Sequence, residues 1–497
     1  MPGGQDPVEE LKRTKNVDRE AFQERVREEA DVIRTHLNRG TFDSEQVTVG
    51  LEYEFYAVDR SGKHLRRLPR SLLECLGFEK ELGLHNAELS TAAHPLNEPG
   101  AEALRREVEA ILWSLEQHAA LDGLRVVSDG MWTIGPNSNT ATGYLTDATH
   151  EDGLTLAHNV SNAVRYHGFG SVDEGDTIGG VIDLPGVSLS ADSAGPVSLT
   201  TSIQPHYQCR NADVLPEFFA IALRIAGPLL ALGVNSPFFP PDLYDDPGPD
   251  RAVLLEESHA ENRIPVYEQM MNPEQSPPKV RFPRDVETPT EAVDRIVEDR
   301  LLLPAEISSG ERFDDAFVHF RHKHGSYWRW VRPVFDGATE AQANARVEFR
   351  PLPGQPTIPD TVAFVAAVGG LLTAIFYEDH PAVDLPWEAH ATTSMRPWQM
   401  ASRRTSSGSR PMARERRTPT TSTRIFSTLR RPASSATASP RPKRGRGFAP
   451  SGNGWPPDSP RRAGNGRRSP RNSTPATTRP KRSVARNGPT SRTRRPR

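Results

Sequence analysis

One stretch, Val47-Thr48-Val49-Gly50-Leu51-Glu52-Tyr53-Glu54-Phe55-Tyr56-Ala57-Val58-Asp59, constrains the chain more than any other. Side chains alternate between the two faces of a strand, so Val47, Val49, Leu51, Tyr53 and Phe55 point one way and Glu52 and Glu54 the other. The apolar face belongs to a core. Carboxylates two residues apart on a strand stand roughly 6.5 to 7 Å from each other, close enough to flank divalent ions and to repel if left alone in a cleft. An ordinary half-buried strand also carries Glu on its wet face, so the case for chemistry needs other strands to agree.

Three others do. Asn86 and Glu88 share a face of the alternating run 85–91; Gln204, His206 and Gln208 share one in 202–208; and Arg346, Glu348 and Arg350 share one in 345–350. On one sheet face these would gather four carboxylates, an imidazole and two guanidiniums. Hard oxygen donors with one nitrogen suit Mg²⁺ or Mn²⁺, and carboxylate-held Mg²⁺ with arginine is what phosphoryl transfer from a nucleotide requires. There is no GxxxxGK[ST], and Gly168-Phe169-Gly170 lacks a third glycine at dinucleotide-binding spacing. His319, His322 and His324 fall in a run that reads as a strand, which splits them between faces and argues against a metal site there. Trp328 and Trp330 read as packing residues.

The intervening chain reads as helices at 18–39, 100–121, 154–166, 215–232 and 291–302, and as strands at 124–132, 177–184, 197–208, 316–323 and 345–350. A Pro- and Asp-rich surface excursion occupies 240–290, and the apolar run 361–376 reads as a buried helix, too short to span a bilayer. Strands and helices do not alternate, and no strand is a pure Val/Ile/Leu run. The expectation is therefore an α+β fold with a mostly antiparallel sheet and flanking helices.

Charge divides the chain. Residues 1–395 carry 34 basic and 62 acidic side chains, whereas 396–497 carry 27 and 2. A body with a net charge of −28 and only six lysines points to a high-salt cytoplasm, where dense carboxylates hold water and salt screens their repulsion. Two cysteines without CxxC spacing give neither a disulfide framework nor a zinc site, and the N-terminus lacks a signal-peptide pattern. The expected location is cytoplasmic, with no membrane and no nucleic-acid partner. From about residue 391 periodicity gives way to Arg, Pro, Ser and Thr. That tail reads as disordered, or as acidic GC-rich codons translated out of frame, since GAC repeats shifted by one or two bases read ACG and CGA, Thr and Arg. Three segments follow: a helical 1–45, a catalytic 46–390 and a tail 391–497.

Gly50-Leu51-Glu52-Tyr53-Glu54-Phe55, Glu88 in Ala87-Glu88-Leu89-Ser90-Thr91, His206 on a late strand, Leu232-Gly233-Val234-Asn235-Ser236-Pro237-Phe238 and Val347-Glu348-Phe349-Arg350 occur in an order that resembles the glutamate-cysteine ligase type 2 family. The resemblance covers roughly residues 45–380 and implies a glutamine-synthetase-like catalytic domain. It implies that ATP phosphorylates the γ-carboxylate of glutamate and that an amine, often that of cysteine, attacks the acyl phosphate. It further implies metal ligation by Glu52, Glu54, Glu88, His206 and Glu348, with Glu52 and Arg350 in catalysis and Arg346, Gln204 and Asn235 at the cofactor. Two departures stand out: Gln204 replaces the first of two histidines, and Tyr53 replaces a common third acidic residue. No counterpart of the family's C-terminal helices follows residue 390. A non-catalytic nucleotide- or amino-acid-binding protein on the same fold is the alternative reading.

Overall fold

The computed structural model describes residues 7–79, 81–168, 179–245, 248–250, 254, 257–272, 277–378 and 380–387. These fall in one compact unit, Met1–Arg431. The tail from residue 391 lies outside the described residues, as do the first two positions of the strand expected at 177–184.

The strands are β1 (Thr48–Asp59), β2 (Asn86–Ser90), β3 (His94–Pro95), β4 (Leu124–Val127), β5 (Ala148–Glu151), β6 (Leu154–Ala157), β7 (Gly180–Leu184), β8 (Val187–Ala191), β9 (Ile203–Gln208), β10 (Val331–Asp336) and β11 (Asn344–Phe349). Seven of them make an antiparallel sheet in the order β10-β11-β9-β1-β2, with β3 and β4 also paired to β1. The expected antiparallel α+β architecture is what the chain adopts. At twelve residues, β1 is long enough to hold β9 along one edge while β3, β2 and β4 divide the other. The pairs β5–β6 and β7–β8 are separate hairpins.

The helices are α1 (Pro7–Lys15), α2 (Arg19–Asn38), α3 (Arg70–Leu76), α4 (Glu98–Leu121), α5 (Ala141–Leu145), α6 (Val164–Gly168), α7 (Leu215–Gly233), α8 (Arg263–Met271), α9 (Pro289–Glu298), α10 (Val318–His324) and α11 (Ile358–Tyr377). Period-two alternation assigns the sheet faces. Tyr53, Tyr207 and Val347 turn toward the layer made by α4, α7 and α11. There Tyr207 meets Phe218 at 4.8 Å between ring centroids, Phe218 stacks on Phe376 at 4.5 Å, and the Tyr207 hydroxyl pairs with Thr373 at 3.1 Å. The opposite face carries the acidic and basic side chains, and α8, α10 and the segment around Leu302 line the space above it. Behind α10 packs α2, whose Phe22, Val26, Ala30 and Ile33 are buried and whose first turn is closed by the Asp18 side chain.

Several expectations are corrected. Of the helix expected over 154–166 only the last three residues are helical, as the start of α6: β6 opens the span, turned back from β5 at Asp152 and Gly153, both at positive φ (52° and 71°). Asp-Gly in that conformation is the preferred two-residue hairpin turn, and it overrides the helical spacing of Asn159 and Asn162. Residues 316–323 are not a strand but a 3₁₀ turn running into α10, because Phe317, Phe320 and Lys323 are the positions buried, a spacing of three. The strand at 124–132 ends at Val127, and that at 197–208 starts only at Ile203, after a 3₁₀ turn at Gly195–Leu199. The segment 240–290 is no mere surface excursion, since it contributes buried α8. Strand β10 was not anticipated; its Pro333 is tolerated because β10 is an edge. Both α7 and α11 are long and apolar enough to cross a bilayer by length and composition. Helix α7 is enclosed by the core, whereas α11 is buried only along Thr361, Val365, Val368, Gly369, Leu372 and Ile375, one stripe of a helix with an open outer side.

Candidate active site

Strand register sets the geometry of the polar face. Glu54 lies directly opposite Glu88, Glu52 opposite Gln204, and Glu348 sits between His206 on one side and Arg332 on the other. Like charges placed directly opposite each other destabilise a sheet unless something compensates them. Two chemically different ends result.

At the acidic end, the carboxylate oxygens of Glu54, Glu81 and Glu88 approach within 4.8 Å of one another. Glu54 is held by neutral donors: the Ser202 N–H at 2.6 Å and hydroxyl at 2.8 Å, and the Gln204 amide at 2.9 Å. Burial, reinforced by Glu81, pushes the Glu54 carboxyl up to about 7. Burial together with Glu52, Glu81, Glu54 and Glu79 raises Glu88 well above the ordinary range. Beside them the Gln204 side-chain oxygen is buried with no hydrogen-bond partner. Three crowded carboxylates and an orphaned amide oxygen form a donor set of hard oxygens, and it fits Mg²⁺ or Mn²⁺.

At the other end, Glu52, His206 and Glu348 also bring ligand atoms within 4.8 Å of one another, but cations already compensate them. Glu348 is gripped by Arg332 Nε at 2.7 Å and by Arg350 Nη1. Burial acts to raise its carboxyl; Arg332, Arg350 and His206 outweigh that and hold it well below the ordinary range. Burial likewise acts on Glu52, where His206, ahead of Arg350, leaves the carboxyl lowered. His206 Nε2 stands 3.2 Å from Glu52 Oε1, and its Nδ1 accepts from Arg346 Nε at 3.0 Å. An imidazole in that state offers no lone pair at Nε2, so this trio as arranged does not fit a metal the way the acidic trio does.

Two cavities flank this line. One of about 320 Å³ is walled by Glu52, Glu79, Glu81, Glu88 and Gln204 and by Arg321, Arg332 and Arg350, with Tyr166, Tyr267 and Trp328 as its aromatic lining. The other, about 270 Å³, is lined by Thr48, Gly50, Thr91, His206, Gln208, Asn344 and Arg346, and again by Glu52. Glu52 therefore belongs to both.

Most of the residues singled out in the sequence converge here: Glu52, Glu54, Glu88, Gln204, His206, Glu348, Arg346 and Arg350. Arg346, however, is committed through both terminal nitrogens to Asp336, at 2.5 and 2.8 Å. Asn235 does not line either cavity: its amide donates to Gly354 O at 3.0 Å and its backbone N–H to Glu261 at 3.1 Å. Its neighbour Ser236 receives the N–H groups of Asn262 and Arg263 and so anchors the start of α8. The three histidines of α10 go to separate partners, His319 to Glu29, His322 to Leu303 O and His324 to Pro333 O. Trp328, read as packing, lines the larger cavity. Sequence reasoning missed Glu79, Glu81, Arg332, Arg263 and Tyr267. A signal for the first two existed: Glu79-Lys80-Glu81 repeats the Glu-x-Glu spacing of β1, and Glu79 bridges to Glu88.

Comparison with curated proteins gives no match. Among solved structures, a bifunctional glutathione synthetase from Pasteurella multocida aligns at 12% identity with a TM-score of 0.35, covering 81% of this chain and 52% of that one, so the chain spans about half of that protein. A glutamate–cysteine ligase from Francisella tularensis in complex with AMP aligns at 12% identity and TM-score 0.39, covering 73% of each chain. A glutamine synthase homologue aligns at 12% identity and TM-score 0.27, covering 77% of this chain and 68% of that one. The family model described as glutamate-cysteine ligase family 2 matches residues 48–437, a span that starts at β1 and takes in every strand of the sheet, and the chain belongs to that family.

Proposed function

We propose that the chain is an ATP-dependent carboxylate–amine ligase that joins the γ-carboxylate of glutamate to an amine, with cysteine the first candidate acceptor. The observation that carries this reading is that one cavity is lined both by Glu81 and Glu88, two members of a crowded carboxylate trio completed by Glu54, and by a pair of guanidiniums, Arg332 and Arg350, in a member of a ligase family.

Glu54, Glu81 and Glu88, with Gln204 and Glu52 at their edge, would hold Mg²⁺ or Mn²⁺, which neutralises triphosphate charge and orients it for in-line transfer. In the first step an oxygen of the substrate carboxylate attacks the γ-phosphorus and ADP leaves. In the second the amine nitrogen attacks the acyl carbon, inorganic phosphate leaves with the C–O bond electrons, and the amine loses a proton. Arg332 and Arg350 counter anionic oxygens in both steps, a task suited to a planar donor fork. Glu348 holds those two arginines in place, and Tyr267 and Trp328 wall the cavity against water.

The test is ADP release in multimolar KCl with Mg²⁺ and glutamate, with and without cysteine or a panel of other amines. Amine-dependent release that disappears in Glu52→Gln is the expected result. ATP binding without release under any amine would replace the proposal with a nucleotide-binding protein on a ligase scaffold.

A further inference from the structure

Asp336 on β10 and Arg346 on β11 reach the site through His206, and nothing about a carboxylate–ion cluster calls for them. The two terminal nitrogens of Arg346 sit on the two oxygens of Asp336, at 2.5 and 2.8 Å, and Nη1 also donates to Asn344 Oδ1 at 3.0 Å. This fork fixes the guanidinium plane. The remaining nitrogen, Nε, then points at His206 Nδ1, 3.0 Å away. Register explains the reach: Arg346 lies opposite Gln208 and Val334, which makes His206 and Asp336 its diagonal neighbours on the same face.

The consequence follows from donor chemistry. A guanidinium keeps its protons, so Arg346 Nε is a donor at every accessible pH. An Nδ1 that accepts from it carries a lone pair, and the proton of neutral His206 must be on Nε2. Nε2 is buried beside the smaller cavity, 3.2 Å from Glu52 Oε1 and without a well-aligned acceptor.

We infer that Asp336 and Arg346 are positioning residues that lock His206 as the Nε2–H tautomer, so that on the side of Glu52 and the smaller cavity His206 presents a hydrogen-bond donor, not a metal-binding lone pair, to an anionic oxygen. That oxygen is of carboxylate or phosphoryl type. The inference concerns the protein's own protons and does not rest on the ligase reading.

Long-range proton–nitrogen correlation NMR on the full chain labelled with ¹⁵N-histidine tests it, with His206→Gln identifying the signal. The wild type is expected to show a protonated Nε2 and an unprotonated Nδ1, and saturating Mg²⁺ is expected to leave that pattern in place. Arg346→Leu should shift both nitrogens toward a tautomer mixture. Asp336→Asn, which frees the fork while leaving the strand pairing intact, should do so in part. A protonated Nδ1 in the wild type, loss of the Nε2 proton on adding Mg²⁺, or an unchanged pattern in both variants would overturn the inference. Should Arg346→Leu fail to fold, the wild-type spectra and Asp336→Asn decide the matter.

Discussion

Glu54 and Glu88 face each other across two hydrogen-bonded strands, and the chain keeps them apart only at the expense of raised proton affinity. For a carboxyl whose folded-state affinity is raised, the native chain holds the proton over a range where the unfolded chain has lost it, so stability falls as pH rises through that range. With Glu54 moved from 4.5 to about 7, the melting temperature of the metal-free protein should fall between about pH 4.5 and 7. The fall should be smaller in Glu54→Gln and should vanish in saturating Mg²⁺. A flat profile in a thermal scan across that window would show that the carboxylates are not in conflict. Asn235 supplies the contrasting case. Asn235→Ala removes the hydrogen bond to Gly354 and should lower stability by about 1 kcal/mol while leaving ATP affinity unchanged; weakened nucleotide binding in titration calorimetry would return Asn235 to the cofactor. Alternation along a strand made Glu52, Glu54, Glu88, His206 and Glu348 legible in the sequence, because period two assigns a face without any tertiary knowledge. Glu81 was legible only through the Glu-x-Glu spacing it shares with Glu79, and Arg332 was not legible. The first precedes β2 in a connection, and the second lies on an edge strand interrupted by Pro333, where local pattern carries little information.

At the scale of elements, the sequence misled where two periodicities competed. The β5–β6 hairpin is specified by two residues, Asp152 and Gly153, whereas the helical pattern it displaced was spread over a dozen. Since a Cβ at Gly153 would meet nothing within 4 Å, Gly153→Ala tests the backbone alone and should cost about 1 kcal/mol in denaturant unfolding, the penalty of a left-handed conformation. No loss would mean that the turn relaxes to another form. Helix α10 and strand-like 316–323 are the same residues, and only the burial of Phe317, Phe320 and Lys323 against neighbouring elements separates the two readings. Helix α8 was invisible for a different reason. Its buried Arg263 depends on partners far along the chain, the backbone oxygens of Arg350 and Pro351 and the face of Trp330 at 5.2 Å.

Across the whole molecule, lysine is rare and oddly placed. Of six lysines in residues 1–395, Lys279 and Lys323 are fully buried, donating to Arg300 O at 2.6 Å and to Gln23 at 2.8 Å, so the exposed basic surface is mostly arginine among carboxylates. With a net of −28 over that span, self-repulsion acts on the compact state until salt shortens its range to roughly 3 Å at 1 M. The melting temperature should therefore climb steadily as KCl rises from about 0.1 M into the multimolar range; insensitivity to salt in a fluorescence melt would count against a high-salt origin. One carboxylate, Glu52, lines both cavities. If each cavity takes a different reactant, a wall shared in this way lets the two meet at Glu52 without one blocking the other's entry. For the ligase proposed here, with ATP, glutamate and an amine as its three substrates, reactants entering by different cavities would not have to add in a compulsory order, and initial-rate patterns for such a pair would be those of random binding.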